Sequence, residues 1–414
     1  MTATQPQVVA PEPVISELKE YLDRVRFQGF YKNLVGLRSY YATPSSLGKN
    51  PPLTKLAHLL HDQKSRDLDI ALCLSARREI KRDWLSSESA TLAEKLVEAG
   101  FLQESEVGFG PGSVELIAWN DLYLLLDARS HYAQPDSLNE VYIGIDSYLL
   151  GYYLDLEMLR GGGRHLDLCM GTGVIGLLGA SVGADVVSTD IAPAPLLMGA
   201  RNRLLNGFED RIEIRAEPME ETLANCTERF DVVSCNPPFV VAPEGLDLFQ
   251  IFAQGPDPDG LGYVRWLFEN VWDTLTENGS CAQVALFPGD GDRLHFQDEL
   301  EELAARRSLA IDIFVDREIA EEAQRKGTTA WLVRLAKDIS AEEIAERVAH
   351  HFREVLRAEQ FFLATIVARR STHPEVQLLN RYRDGGIMAG GRLSNGLDPI
   401  YQRIPVRKKD KPSV

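Results

Sequence analysis

The stretch from residue 165 to residue 190 constrains the fold more than any other. An apolar run, His165 to Cys169, breaks at Gly171 and Gly173 and resumes as Val174-Ile175-Gly176-Leu177-Leu178; a second apolar run, from Ala184, closes on Asp190. Strand, glycine turn, helix and second strand make a βαβ unit, whose strands are parallel neighbours in one sheet. Such units build a Rossmann-like, doubly wound α/β sheet that binds ligands at the carboxyl ends of its strands, where glycines let the backbone approach closely. Asp190 follows the turn by roughly 20 residues, the distance at which an acid reaches ribose hydroxyls. A nucleoside-containing cofactor is implied.

Gly171-Thr172-Gly173-Val174-Ile175-Gly176 also satisfies the dinucleotide pattern G-x-G-x-x-G. The carboxylate of Asp167 beside the turn argues otherwise, since it would repel a pyrophosphate and suits a sulfonium. That favours S-adenosylmethionine; the alternative for Asp167 is a cap on the following helix. A further apolar run, 230–235, leads into Asn236-Pro237-Pro238-Phe239. A planar nitrogen has a delocalised lone pair and needs orienting more than it needs a strong base. The side-chain oxygen of Asn236 and the carbonyl of Pro237 can each accept an N–H, Pro238 stiffens the loop, and Phe239 offers a stacking face. Taken alone, Asn-Pro-Pro is also an ordinary turn.

With these motifs in this order, residues of roughly 140–335 resemble class I S-adenosylmethionine-dependent methyltransferases of the Asn-Pro-Pro-aromatic branch, which includes glutamine-amide and nucleobase-amine N-methyltransferases. The resemblance implies a seven-stranded Rossmann-like sheet, S-adenosyl-L-methionine as cofactor and S-adenosyl-L-homocysteine as product. It implies cofactor contacts at Asp167, Gly171, Gly173, Asp190, Glu217 and Asn236, and catalytic roles for Asn236, Pro237 and Phe239. It also sets the segment 142–150 over the cofactor, so that Asp146, Ser147 and Tyr148 join Pro238, Phe239 and Glu244 as expected acceptor contacts. Asp146 or Ser147 could instead cap a helix. The loop 240–263, rich in Pro, Gly and Asp, is expected to be a substrate lid, with Asp247, Asp257 and Asp259 as further contacts.

The chain is too long for one ordinary catalytic domain at 414 residues. The expected division is a tail at 1–13, an N-terminal α+β domain at 14–135, the methyltransferase domain at 136–338 and a small C-terminal α+β extension at 339–414. In the first region, helices at 15–27, 52–63, 68–73 and 91–99 precede strand-like runs at 113–118 and 122–127, a winged-helix-like arrangement for substrate binding or homodimer formation. The methyltransferase domain should continue with a helix at 264–275, a strand at 280–287, a helix at 297–308 and strands at 309–315 and 328–335. The extension reads as a helix at 341–360 carrying a solvated His350-His351 pair, a strand at 361–369 and a glycine-rich loop at 381–392.

A net charge of −17 disfavours nucleic acid as the partner, because the basic groups Arg77-Arg78 and Lys81-Arg82 are diluted by acids. The same charge favours a small cationic acceptor, such as a guanidino or other amino-acid side chain. A release-factor-type glutamine amide and an rRNA guanine N2 are the alternatives, the former weakened by Phe239, where glutamine enzymes usually have tyrosine. A cofactor-binding scaffold without turnover is the non-enzymatic alternative. Cysteines at 73, 169, 226, 235 and 281 lack metal-type spacing, so free thiols are expected, with no disulfide and no metal. The absence of a membrane-length apolar run and of a signal-like start points to a soluble, cytoplasmic protein.

Overall fold

The computed structural model describes residues 12–35, 68–77, 79–127, 141–246, 253–336 and 338–380. Residues 1–11 of the tail expected at 1–13, the segments expected at 52–63 and 381–392, and Arg78 and Asp247 lie outside the described residues. The chain divides into two units: residues 1–151, 158–236 and 273–276 form the first, and residues 152–157, 237–272 and 277–414 the second.

The first unit opens with helices α1 (Val14–Arg24), α2 (Phe27–Val35) and α3 (Asp69–Ala76). One stripe of α1, including Ile15, Leu18 and Leu22, is buried. The single helix expected at 15–27 breaks at Arg26, which sits at φ +53°. Then follow β1 (Ile80–Lys81), α4 (Ser87–Glu98), β2 (Leu102–Ser105), β3 (Gly108–Pro111), β4 (Val114–Trp119) and β5 (Leu122–Asp127). Helix α4 starts where the Ser86 hydroxyl accepts the amide of Ser89.

Two hairpins stand where one was expected. Strands β1, β3 and β2 make one antiparallel sheet, and β4 and β5, the expected hairpin, make a separate one. The sequence of β3, Gly108-Phe109-Gly110-Pro111, reads as turn residues, which hid its hairpin.

The unit continues with α5 (Ile145–Tyr153), β6 (Arg164–Leu168), α6 (Val174–Ser181), β7 (Asp185–Asp190), α7 (Pro193–Asn206), β8 (Ile212–Ala216), α8 (Met219–Ala224) and β9 (Phe230–Cys235). Its sheet is parallel throughout, in the order β9-β6-β7-β8, the doubly wound arrangement expected. Parallel strands covered on both faces read as continuous apolar runs, and Leu166, Leu168, Val232 and Val233 are all fully buried. Helix α6 is apolar all round because every residue from Val174 to Ala180 is buried. Helix α7 has proline in its first turn and ends at Gly207 in the left-handed region.

The second unit comprises α9 (Gly262–Asn270), β10 (Leu275–Asp290), β11 (Arg293–Leu294), α10 (Gln297–Arg307), β12 (Leu309–Ala320), α11 (Glu321–Leu335), α12 (Ala341–His350), β13 (Gln360–Arg370) and β14 (Glu375–Asn380). The strand order is β10-β13-β12-β14, with β11 paired to the end of β10. Strand β13 runs antiparallel to both neighbours, and β14 lies parallel to β12.

Two expectations are corrected here. Residues 328–335 are helical: only Thr328 and Leu332 of α11 are buried, a spacing of four that marks a helix stripe, and the pairs Glu321–Arg325 and Glu322–Lys326 brace its first turns. The strand beside β12 is instead β13, from the region expected to be a separate extension, and it runs antiparallel to β12. The helix expected at 341–360 is α-helical to His350, continues as a π-helical turn, His351–Val355, and stops there; His351 is not solvated, being 5% exposed with its Nε2 2.7 Å from the carbonyl of Pro258. Among the described residues, no helix is long and apolar enough to cross a membrane.

Candidate functional site

The carboxyl ends of β6 and β7 bring the glycine turn and Asp190 together. Gly171 sits at φ +54°, and a Cβ built there would meet no other atom within 4 Å, so the turn faces open space among the described residues. The amide of Gly171 donates to Asp190 Oδ2 at 3.1 Å, and that of Ala192 donates to Asp190 Oδ1 at 3.0 Å. Each oxygen keeps a lone pair for a hydroxyl donor. Burial pushes the Asp190 carboxyl above its ordinary range, against the pull of these amides. Ile191, next in the chain, is 42% exposed, an apolar side chain at the rim that the motif reading passed over. Glu217 lies half-buried just beyond β8.

Asp167 is not placed as expected. It is 2% exposed, its Oδ2 accepts the amide of Gly176 at 3.0 Å, and its Oδ1 accepts the Ser234 hydroxyl at 3.0 Å. Gly176 is the third residue of α6, so the capping alternative describes this carboxylate. It braces the turn from behind instead of offering charge to a ligand. Its strand partner in β9 is Ser234, and His165 Nε2 lies 2.8 Å from the same hydroxyl. Burial raises Asp167 to about 7 and lowers His165 to about 3.

At the end of β9, Asn236 Nδ2 donates to Asp146 Oδ2 at 2.6 Å and to Ser147 Oγ at 3.3 Å. Both partners lie in the first turn of α5, so two expected acceptor contacts meet the expected catalytic amide. Asn236 Oδ1 is buried with no partner among the described residues. Tyr148 turns elsewhere, its ring edge-on to Trp119 of β4 with centroids 4.9 Å apart.

In the second unit, Pro237 is buried and Pro238 and Phe239 are half-buried. The segment after them is held at Val240, whose amide donates to the Ala253 carbonyl at 2.7 Å in an isolated bridge. Glu244 is exposed. Asp257 and Asp259, expected as acceptor contacts, instead share Arg265 with Glu299: the guanidinium lies 3.3 Å, 2.6 Å and 2.8 Å from the three carboxylates. Of the expected basic groups, Arg77, Lys81 and Arg82 are also engaged. Arg82 pairs with Glu94 and Glu104, Lys81 lies over Trp84, and Arg77 donates to the carbonyls of Gly112 and Val114.

One supporting residue had no signal in the motifs. Asn202 of α7, fully buried, accepts the Leu125 amide at 2.7 Å and donates to the Leu125 carbonyl at 3.0 Å and the Thr172 carbonyl at 2.9 Å. Asn206, one turn on, makes the same pair of bonds to Tyr123, at 2.9 Å and 2.7 Å. The glycine turn and β5 are thereby fastened to one helix.

Residues 145–254 match the family model of the methyltransferase small domain. A tRNA1(Val) (adenine(37)-N6)-methyltransferase of Mannheimia succiniciproducens is 27% identical over 145 residues, 33% of this chain and 55% of that protein. A release factor glutamine methyltransferase of Clostridium acetobutylicum is 36% identical over 139 residues, 31% of this chain and 48% of that protein. A ubiquinone biosynthesis O-methyltransferase of Salmonella paratyphi A is 29% identical over 142 residues, 34% of this chain and 54% of that protein. The chain spans about half the length of these relatives. The likeness to methyltransferases thus lies in residues 145–254, the part matched by the family model.

Proposed function

We propose that the chain, on the premise of the methyltransferase small domain matched by residues 145–254, is an N-methyltransferase acting on a planar nitrogen of amide or exocyclic-amine type. The observation that carries this reading is Asn236: its donor end is held by Asp146 and Ser147, and its Oδ1 is buried with no partner among the described residues. A buried acceptor of this kind costs on the order of 1–3 kcal/mol until an N–H reaches it. S-adenosylmethionine supplies a methyl carbon made electrophilic by the sulfonium. Asn236 Oδ1 and the Pro237 carbonyl would accept N–H bonds from the acceptor, turning its lone pair out of conjugation, and Phe239 would offer the ring on which a flat group lies. The methylated nitrogen then sheds one proton to solvent.

The cradle fits the nucleoside end of that cofactor. The open turn at Gly171 and Gly173 would take the amino-acid portion, the spare lone pairs of Asp190 the ribose hydroxyls, and Ile191 the adenine face, with Glu217 toward its edge.

Two observations favour a neutral acceptor. The names of the relatives include an adenine N6 and a glutamine amide, both planar NH2 groups. The carboxylates Asp146, Asp257 and Asp259, which would have met a cation, are engaged within the protein. A small cationic acceptor such as a guanidine is the second reading, favoured by the net charge of −17 and by the exposed Glu244.

The test is transfer of label from methyl-labelled S-adenosylmethionine into the protein, RNA and metabolite pools of a lysate, with wild type and Asn236→Ala. Wild type should label one pool, and N236A should still bind S-adenosylhomocysteine while transferring at least about a hundredfold more slowly at saturating cofactor. Normal transfer by N236A would refute the assignment, and label in cationic metabolites would select the second reading. No transfer by wild type into any pool would leave the scaffold alternative.

A further inference from the structure

We propose that Asp146 is a positioning residue for methyl transfer: its carboxylate locks the side-chain amide of Asn236 in the one orientation that turns Oδ1 toward the acceptor. The inference rests on the proposed function and deepens it.

An amide side chain presents a donor end and an acceptor end of nearly the same shape, so its own packing cannot decide which faces where. An ionised carboxylate can only accept. With Asp146 Oδ2 2.6 Å from the amide nitrogen, the nitrogen must face α5, and the oxygen must face away from it. Ser147 Oγ, at 3.3 Å, takes the second N–H, so both donors of Asn236 are spent. The result is a buried oxygen that no described residue satisfies, at the carboxyl end of a parallel strand where such sheets carry out their chemistry. Reversal of the amide would put oxygen against carboxylate and offer the acceptor an N–H where it needs a lone pair.

The carboxylate is itself held in place. Asp146 lies in the first turn of α5; burial pushes its carboxyl above the ordinary carboxylate range, and the Asn236 amide and the backbone N–H groups of that turn pull the other way, toward the charged form. Its other oxygen folds back over Gly144, and a Cβ built on Gly144 would lie 2.0 Å from Asp146 Oδ1. Glycine at 144 is what lets the carboxylate reach Asn236, a requirement invisible in the motif.

The experiment replaces Asp146 by asparagine, which keeps the shape but brings an NH2 able to capture Asn236 Oδ1. Three properties are followed in the full chain. They are the side-chain amide resonance of Asn236, assigned by its loss in N236A; the affinity for S-adenosylhomocysteine; and the rate of label transfer at saturating S-adenosylmethionine. D146N should move the Asn236 amide proton upfield, leave the affinity within about twofold, and lower the rate at least about tenfold, the scale of a mispositioned group. Gly144→Ala, which leaves the Asp146 carboxylate chemically intact but displaces it, should reproduce the loss of rate. An unmoved Asn236 resonance in D146N would overturn the proposal, as would a wild-type rate in D146N beside an inactive N236A, which keeps the proposed function. Loss of S-adenosylhomocysteine binding in parallel with rate in both variants would also overturn it, by making Asp146 a structural residue. A fully active N236A would instead sink the proposed function itself.

Discussion

Cys169, the residue after β6, sits at φ +56°. A side chain in the left-handed region costs about 1–2 kcal/mol, and glycine there would escape that cost while losing about 0.5–1 kcal/mol through its freer unfolded chain. Cys169→Gly should therefore raise stability by up to about 1 kcal/mol, read as a higher denaturant midpoint at unchanged slope. A lower midpoint would mean that the thiol packs well enough to outweigh its backbone strain. Two residues earlier, Asp167 holds its proton up to about 7 because it is buried. Its folded state binds the proton more tightly than the unfolded chain does, so its contribution is complete below the ordinary carboxylate range and is lost as pH rises toward 7. His165, held down to about 3, has the opposite sign: its contribution is lost as pH falls below the ordinary histidine range. Between about pH 4 and 6.5 the two slopes cancel. Asp167→Asn removes one of them, so the stability of D167N should rise with pH through that window relative to wild type, by up to about 1.4 kcal/mol per unit. Parallel pH curves for the two proteins would exclude this linkage.

At the scale of elements, α7 joins the glycine turn to the hairpin through asparagines one turn apart. Asn202→Ala would leave three groups, the Leu125 amide, the Leu125 carbonyl and the Thr172 carbonyl, without these partners in a buried place, whereas the three released by Asn206→Ala, the Tyr123 amide and carbonyl and the Asn202 carbonyl, are only part-buried. Each buried polar group left bare costs roughly 1–3 kcal/mol. N202A should thus be the more destabilised of the two in urea melts and should alone weaken S-adenosylmethionine binding in calorimetry, since Thr172 belongs to the turn. Equal affinities in both variants would break the link between hairpin and turn. Which elements were legible follows the same physics. The strands β6, β7 and β9 were visible because burial on both faces makes continuous apolar runs. β3 was not, because two glycines and a proline look like a turn. The apolar run in β13 is legible as a strand, but its place between β10 and β12 is not, since pairing depends on residues some 40 to 90 positions away. Thr328-Thr329-Ala330-Trp331-Leu332-Val333 misled because its β-branched residues were considered apart from the acidic, salt-bridged turns that begin α11.

At the scale of the whole molecule, the parts of the candidate site visible in advance were those fixed by local spacing: the glycine turn, Asp190 and Asn236. The parts missed are made by contacts across elements. Ser234 acquires its role only because it stands beside Asp167 in the sheet, and Asp146, named in advance as an acceptor contact, turns out to hold Asn236. The acidic balance of the chain misled for a related reason, since net charge does not say which carboxylates are already spent on an arginine or an amide. One such arrangement bears on how the protein behaves among copies of itself. The outward rungs of β5 at residues 123 and 125 are taken by Asn206 and Asn202, and the amide of Asp127 donates to the Val141 carbonyl. A hairpin usually leaves one such margin open to any passing extended chain. Here that margin is sealed along its length by the protein's own amides, so strand addition from a neighbouring molecule has no foothold on that side until α7 lets go.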